Sequence, residues 1–265
     1  MGTSTHNSGQ KGGTPLVPSW LEEEDSSSNE TLPPQGDSKR FSAPRGNFTR
    51  YVGSGGSNRG ALRRSTSNYV KQSLGGSRNA TVRLGAARQS TAKLFEFINS
   101  MARGGTPIAG REFELRNLIG KHADDVFCDI AEFVCPDGGT TDEGIARSSY
   151  FEAIVDMPEL SQVNIENMTI DQMASFLQLY MSNIIMERLL NDIGNKTISL
   201  PDDIQKVSYI QNQIKDFIHG NISDAFSELN VKSQLGNINN QQTKEIVDSV
   251  YERAYSIMET LGEDE

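Results

Sequence analysis

The chain has 265 residues, 25 Lys and Arg against 35 Asp and Glu, and a net charge of -10. Hydrophobic residues make up 35% of it, below the roughly 45% of an ordinary globular domain. No apolar run approaches the roughly 20 residues of a membrane helix, the start MGTSTHNSGQ has neither a basic nor an apolar signal region, and two cysteines, Cys128 and Cys135, cannot frame a disulfide scaffold. Secreted, membrane-spanning and disulfide-rich classes are therefore excluded, and a cytoplasmic protein is expected.

The charge is divided along the chain. Residues 1–110 carry 14 basic and 7 acidic residues, whereas 111–265 carry 11 basic and 28 acidic. Such asymmetry speaks of partners rather than of fold. Residues 1–38 are rich in Gly, Ser, Thr, Asn and Pro and have too few apolar residues to offset the entropy of ordering, so a flexible tail is expected. Within it, Thr14-Pro15-Leu16-Val17-Pro18-Ser19-Trp20 combines stiffening prolines with the single Trp, a frequent interface anchor, and reads as a short docking motif.

Residues 39–110 form a basic, glycine-punctuated region with 13 basic residues and one acid, Glu96. Arg40, Phe41, Arg45, Phe48, Arg50 and Tyr51 interleave cations with aromatics; Phe41, Phe48 and Tyr51 are candidate partner contacts, to be buried against a partner or against the chain's own helices. Glycine breaks at Gly53–Ser57 and Gly75–Ser77, with Ser57 and Ser77 as N-caps, predict helical segments over about 58–72 and 78–101. In the acidic region, 111–265, helices are predicted at about 111–119, 121–134 and 142–157, the last capped by Thr141 or Asp142. Apolar residues from Ile170 to Ile193 keep helical spacing over more than six turns, with a capping box at Thr169 and Gln172 and a stop at Gly194. Leu200 and Pro201 open a further helix that Gly220 ends, and a last one covers about 242–261. No alternating run of useful length is present, so the fold class is all-α: a helical C-terminal body, a flexible N-terminal tail and a basic, partly helical region between them.

Chemistry is sparse. His6, His122 and His219 are scattered, and no catalytic residue can be assigned. Cys128 and Cys135 lack the two further ligands of a structural zinc site, and Cys128, beside Val126, Phe127 and Ile130, reads as a core thiol. Neither glycine-rich stretch continues into Gly-Lys-Ser/Thr, and no serine sits in a nucleophile elbow. No enzyme, cofactor or metal is expected. The Arg-aromatic stretch can contact phosphates and stack on bases, but an acidic body repels a polyanion; the basic region can equally dock on the acidic half or on an acidic protein. Protein contact is the preferred reading, with nucleic-acid binding as the alternative. At the start, removal of Met1 would expose Gly2 as an unhindered α-amine with a pKa of about 7.7–8.0. His6 departs from the myristoylation pattern.

Taken in order, Met1-Gly2-Thr3-Ser4, Thr14–Trp20, Arg40-Phe41, Ser54-Gly55-Gly56-Ser57, Leu62-Arg63-Arg64, Tyr69-Val70, Gly75-Gly76-Ser77 and Arg83-Leu84-Gly85 resemble the QatB family of the bacterial Qat anti-phage defence system. The resemblance spans about residues 1–105. It implies a non-enzymatic component accompanied by an ATPase (QatA), a QueC-like enzyme (QatC) and a TatD-like nuclease (QatD). It further implies that the QueC-like partner joins a 7-deazaguanine base to the Gly2 amine, with Thr3 and Ser4 helping to thread the tail and Pro15, Leu16, Val17, Pro18 and Trp20 docking on that partner. The alternative is a nucleic-acid-binding or adaptor subunit that recruits the ATPase or nuclease, and a free-standing regulator of other proteins is a third option.

Overall fold

In the computed structural model the described residues are 38–104, 118–194 and 204–262, and they contain helices but no strand. The helices are α1 (Ser42–Gly53), α2 (Arg59–Asn68), α3 (Ser77–Val82), α4 (Ala86–Ala102), α5 (Ala123–Asp129), α6 (Ala131–Val134), α7 (Thr141–Val155), α8 (Ile170–Leu189), α9 (Ile204–Glu228), α10 (Val231–Gln234) and α11 (Asn240–Thr260). Two of them run on into π-helical turns, α2 into Tyr69–Leu74 and α8 into Leu190–Gly194.

Helix α8 is central. It packs on α4, α7 and α9, and Met173, Phe176, Leu177, Tyr180, Met181, Ile184, Ile185 and Leu189 are all buried. Only Asp171 and Ser175 of its residues are exposed, so nearly its whole circumference has to be covered. Its start is fixed as expected: Thr169 accepts from Gln172 N, and the Gln172 side chain accepts from Thr169 N. Aromatic rings lock it to its neighbours. Phe176 stacks on Phe127 with centroids 4.1 Å apart, Tyr150 meets Phe176 and Tyr180 edge-on at 6.0 and 5.6 Å, and the Tyr150 hydroxyl donates to Phe127 O at 2.7 Å.

Several boundaries differ from the sequence expectation for identifiable reasons. The cation-aromatic stretch around 40–51 is helical, as α1. The helix expected over 78–101 is two, because Gly85 has φ +48°, which a continuing helix does not permit. Asn58 rather than Ser57 caps α2, by accepting from Ala61 N at 3.0 Å, and Ser77 is the first residue of α3 rather than its cap. The segment 121–134 is broken at Ile130. Thr140, not Thr141 or Asp142, caps α7, through a capping box with Glu143. Helix α9 passes through Gly220 to Glu228, since buried Ile222, Ala225 and Phe226 continue its inward stripe. The 111–119 expectation lies outside the described residues except for a turn at Leu118 and Ile119, and so do Leu200 and Pro201.

The described part of the basic region shares its core with the acidic half. Helices α2, α3 and α4 pack on α11, and α4 also packs on α7 and α8. Polar groups clamp this union: Thr91 and Tyr251 share a hydrogen bond of 2.8 Å, Asn99 Nδ2 donates to Ile238 O at 2.7 Å, and Asn99 Oδ1 accepts from Gly236 N at 2.7 Å.

The cysteines correct one expectation. Helix α5 turns Ala123, Val126 and Phe127 inward, which leaves Cys128 on its exposed side; Cys135 is the buried thiol. Burial, reinforced by Asp124, Asp125 and Asp129, raises the Cys128 pKa, and burial pushes Cys135 up to about 11. The thiolate is the reactive form. Native protein at neutral pH should therefore take up one alkyl group, slowly, and Cys128→Ser should abolish it; two groups should add after unfolding. Rapid double labelling of native protein, read by mass, would contradict this packing.

Leu177 has no exposed surface. Leu177→Ala should lower stability by about 2–5 kcal/mol, measured from urea unfolding midpoints; a change near zero would place Leu177 outside the core.

Candidate functional site

The tail residues singled out from sequence, Gly2, Thr3, Ser4, Pro15, Leu16, Val17, Pro18 and Trp20, lie outside the described residues. The three aromatic candidates are described. Phe48 and Tyr51 are 2% and 0% exposed and belong to the chain's own core, the second of the two fates considered for them. The Tyr51 hydroxyl donates to Ile210 O at 3.4 Å, and burial, with a smaller push from Tyr209 opposed by Arg59, brings its pKa up to about 12. Phe41 is half-buried at the edge of that core.

Around Phe41 the fold assembles a cluster that is scattered in sequence. The Arg40 and Arg45 guanidinium carbons lie 4.8 and 5.1 Å from the centroid of the Phe41 ring. Arg45 Nη2 donates to the Asp192 carbonyl at 2.9 Å. The Asp192 carboxylate accepts from the Tyr69 hydroxyl at 2.6 Å and from Arg188 Nε at 3.3 Å, while Arg188 Nη1 pairs with Asp142. Arg83 Nε donates to Leu74 O at 3.2 Å, and Ser73 Oγ donates to Arg40 O at 2.8 Å. Asp142 also faces Gly85, where an added Cβ would approach its Oδ2 to 3.4 Å.

The electrostatics follow from burial and crowding. Burial and then the Asp192 charge hold the Tyr69 proton well above the ordinary phenol range. Burial alone would loosen the Arg188 proton, but Asp192, Tyr69 and Asp142 outweigh it and tighten it. Arg83 goes the other way: burial, Arg40 and Arg188 together lower its pKa. The cluster is thus a shared neighbourhood in which the guanidiniums of Arg40, Arg45, Arg83 and Arg188 and the carboxylates of Asp142 and Asp192 act on one another.

Other arginines of the basic region also engage groups of the acidic half. Arg59 Nη2 donates to Gln213 at 3.0 Å, Arg88 lies 3.5 Å from the Asp248 carboxylate, and Arg103 donates to the Gly236 and Ile238 carbonyls. Between α2 and α9 a cleft of about 350 Å³ is lined by Tyr51, Arg59, Leu62 and Phe217 among others. Among the described residues no group of three or more His, Cys, Asp or Glu is placed to hold a metal ion, and no helix is long and apolar enough to cross a membrane.

Arg188, Asp192 and Asp142 were not singled out as functional from sequence. Their signal was available: Arg188 and Asp192 are one helical turn apart, next to the buried Leu189 and Ile193 of the apolar stripe. Tyr69, Arg83 and Gly85, by contrast, stand in the motifs that carried the resemblance.

A family model described as Qat anti-phage system associated protein QatB matches residues 75–258. The chain belongs to the QatB family. The match covers α3 to α11 and so rests on the helical body, whereas the motifs recognised in the sequence lie within 1–105; the two overlap over Gly75-Gly76-Ser77 and Arg83-Leu84-Gly85. No curated protein and no solved structure gives a match.

Tyr69 is 2% exposed and gives its hydroxyl to a carboxylate. Tyr69→Phe removes that donor and keeps the ring. It should lower stability by about 1.5–3 kcal/mol, the range for hydrogen bonds to charged groups, measured by chemical denaturation. An unchanged midpoint would show that the Tyr69–Asp192 bond does not hold the π turns together.

Proposed function

We propose that this family member is a non-enzymatic component of a Qat anti-phage system, and that it docks on the QueC-like enzyme QatC and is modified by it at Gly2. Membership of the family carries the reading. On this view the helical body is a stable carrier for the N-terminal segment. Pro15, Leu16, Val17, Pro18 and Trp20 dock, and Thr3 and Ser4 guide the first residue into the enzyme. QueC enzymes use ATP to convert a deazaguanine carboxylate and ammonia to a nitrile. A QueC-like partner can activate the same carboxylate and accept a protein amine in place of ammonia. The Gly2 nitrogen then attacks the activated acyl carbon, an amide bond forms, the activating group leaves with the bonding electrons, and one proton is released.

Gly2 suits this step because an α-amine with a pKa of about 7.7–8.0 is partly unprotonated near neutral pH, whereas a lysine at about 10.4 is not. The QatA ATPase and the TatD-like nuclease QatD are the expected further partners. The donors that Arg45, Arg59 and Arg103 spend within the chain support protein contact over nucleic acid as the role of the basic region.

Intact-mass analysis of the full chain co-expressed with its operon neighbours tests the proposal. The expected product lacks Met1 and carries the mass of one deazaguanine acyl group on Gly2. Gly2→Glu should retain Met1, lose the added mass and lose phage protection, with the helical circular dichroism unchanged. An unmodified Gly2 amine in the presence of active QatC would defeat the modification step and leave the N-terminal segment a docking element alone.

A further inference from the structure

We propose that the exposed face of α7, with Glu187 of α8 beside it, docks a partner protein through an amphipathic segment that offers an arginine next to an apolar side chain. The proposal goes beyond the Gly2 reading and does not rest on it, because every residue it uses belongs to the helical body.

Exposed apolar surface is the first observation. Ser148, Phe151, Glu152 and Val155 follow one another at three- and four-residue steps and so form one stripe of α7. Phe151 is 37% exposed and Val155 78%, while the same helix buries Ile145, Ala146, Tyr150 and Ala153 on its other side. Arg147 lies over the Phe151 ring at 5.5 Å and the Tyr150 ring meets it edge-on, so the free apolar surface is the rest of that ring together with Val155. Single exposed apolar residues are ordinary. Here two stand one turn apart and border a buried polar corner.

That corner is the second observation. Lys215 of α9 serves two carboxylates of α7, Glu152 at 3.3 Å and Asp156. Glu187 is reached by the Ser148 hydroxyl, and no cation among the described residues pairs with it. Burial raises the Glu187 pKa, the hydroxyls of Ser148 and Ser149 oppose the rise, and the Glu152 charge adds to it. One turn earlier on α8, Asn183 has no exposed surface. Its Nδ2 donates to Asp156 at 3.2 Å, but its Oδ1 has no donor among the described residues. Buried acceptors are nearly always satisfied in a native protein. Asn183 and Glu187 both call for a donor, and Glu187 for a positive one.

Charge is the third. Residues 118–171 hold 12 acidic and two basic residues. Both bases are engaged within the stretch, Lys121 with Asp129 and Arg147 with Glu132. A surface of this sign attracts a basic segment and repels a second copy of itself or a nucleic acid. Arginine suits the polar corner, since its fork has donors enough for a carboxylate and an amide oxygen. An apolar neighbour of that arginine then covers Val155 and the free part of Phe151, which is the pattern an amphipathic helix presents to a helix face.

The test measures the binding of fluorescein-labelled synthetic peptides to the full chain by fluorescence anisotropy. The probe is a short alanine-based peptide with leucine and arginine at three- and four-residue steps along one face; one control carries serine for leucine, the other glutamine for arginine. Saturable binding of the probe is expected, about tenfold weaker for either control and falling with added salt. Val155→Ser, at a position too exposed to carry the fold, and Glu187→Gln should each weaken binding about tenfold. Glu228→Gln, which removes an exposed partner of Arg253, should leave it unchanged. If Glu187→Gln does not fold, the glutamine control reads the same contact from the peptide side. No saturable binding, equal binding of the three peptides, or binding indifferent to Val155→Ser overturns the surface. So does a concentration-dependent dimer in sedimentation that Val155→Ser abolishes, which would assign the face to a second copy. QatC takes no part in the assay, so its outcome leaves the Gly2 reading where it stands.

Discussion

A helix with almost no solvent face imposes its needs on everything around it. Helix α8 must be covered by apolar surface along its length and must still satisfy the polar groups it carries. Its C-terminal turn shows the second requirement. Arg188 and Asp192 sit one turn apart where the chain is part-buried, so each has to find partners on other elements. Asp192 finds Tyr69 and Arg45, and Arg188 finds Asp142. Three chain regions far apart in sequence are thereby pinned to one point. A charged group that has lost its water has few tolerable positions, which makes such a pin more selective about geometry than apolar contact alone.

Much of the helical body was legible in the sequence because it obeys a single period. The stripe from Ile170 to Ile193 and the Thr169–Gln172 box prescribe α8 by local rules, and the structure adds little to them. Where those rules misled, a longer-range effect decided. Gly220 reads as a stop, yet it sits inside α9 because Ile222 and Phe226 have a core to enter. Gly85 reads as an ordinary helix residue beside Arg83 and Leu84, yet its positive φ breaks the helix and brings the backbone close to Asp142. Cys128 has apolar neighbours in sequence but the wrong phase on α5 to share their burial.

The arginine cluster was less legible, for a physical reason. Motif reading sees residues that are neighbours along the chain, and here Arg40, Tyr69, Arg83, Asp142 and Asp192 come from five separate segments. Periodicity sees faces, and a salt-linked pair inside an apolar run looks like noise on a stripe. The charge asymmetry was visible and half of its meaning with it. The basic region does engage the acidic half, through Arg45, Arg59, Arg88 and Arg103, so a good part of the positive charge counted in the sequence is internal to the fold.

Tyr69 opens one π-helical turn and Asp192 lies within the other. A π turn holds one residue more than the α-helical turn it replaces, so each behaves as a retained insertion whose extra residue sets the phase of what surrounds it. Successive residues of an α-helix are about 100° apart around the axis. Loss of one residue between Leu189 and Asp192 would replace three π steps by two α steps, and so change both the height and the angle at which Asp192 leaves the helix towards Tyr69. Changes of length, more than changes of residue type, are therefore what this corner of the protein is least able to absorb.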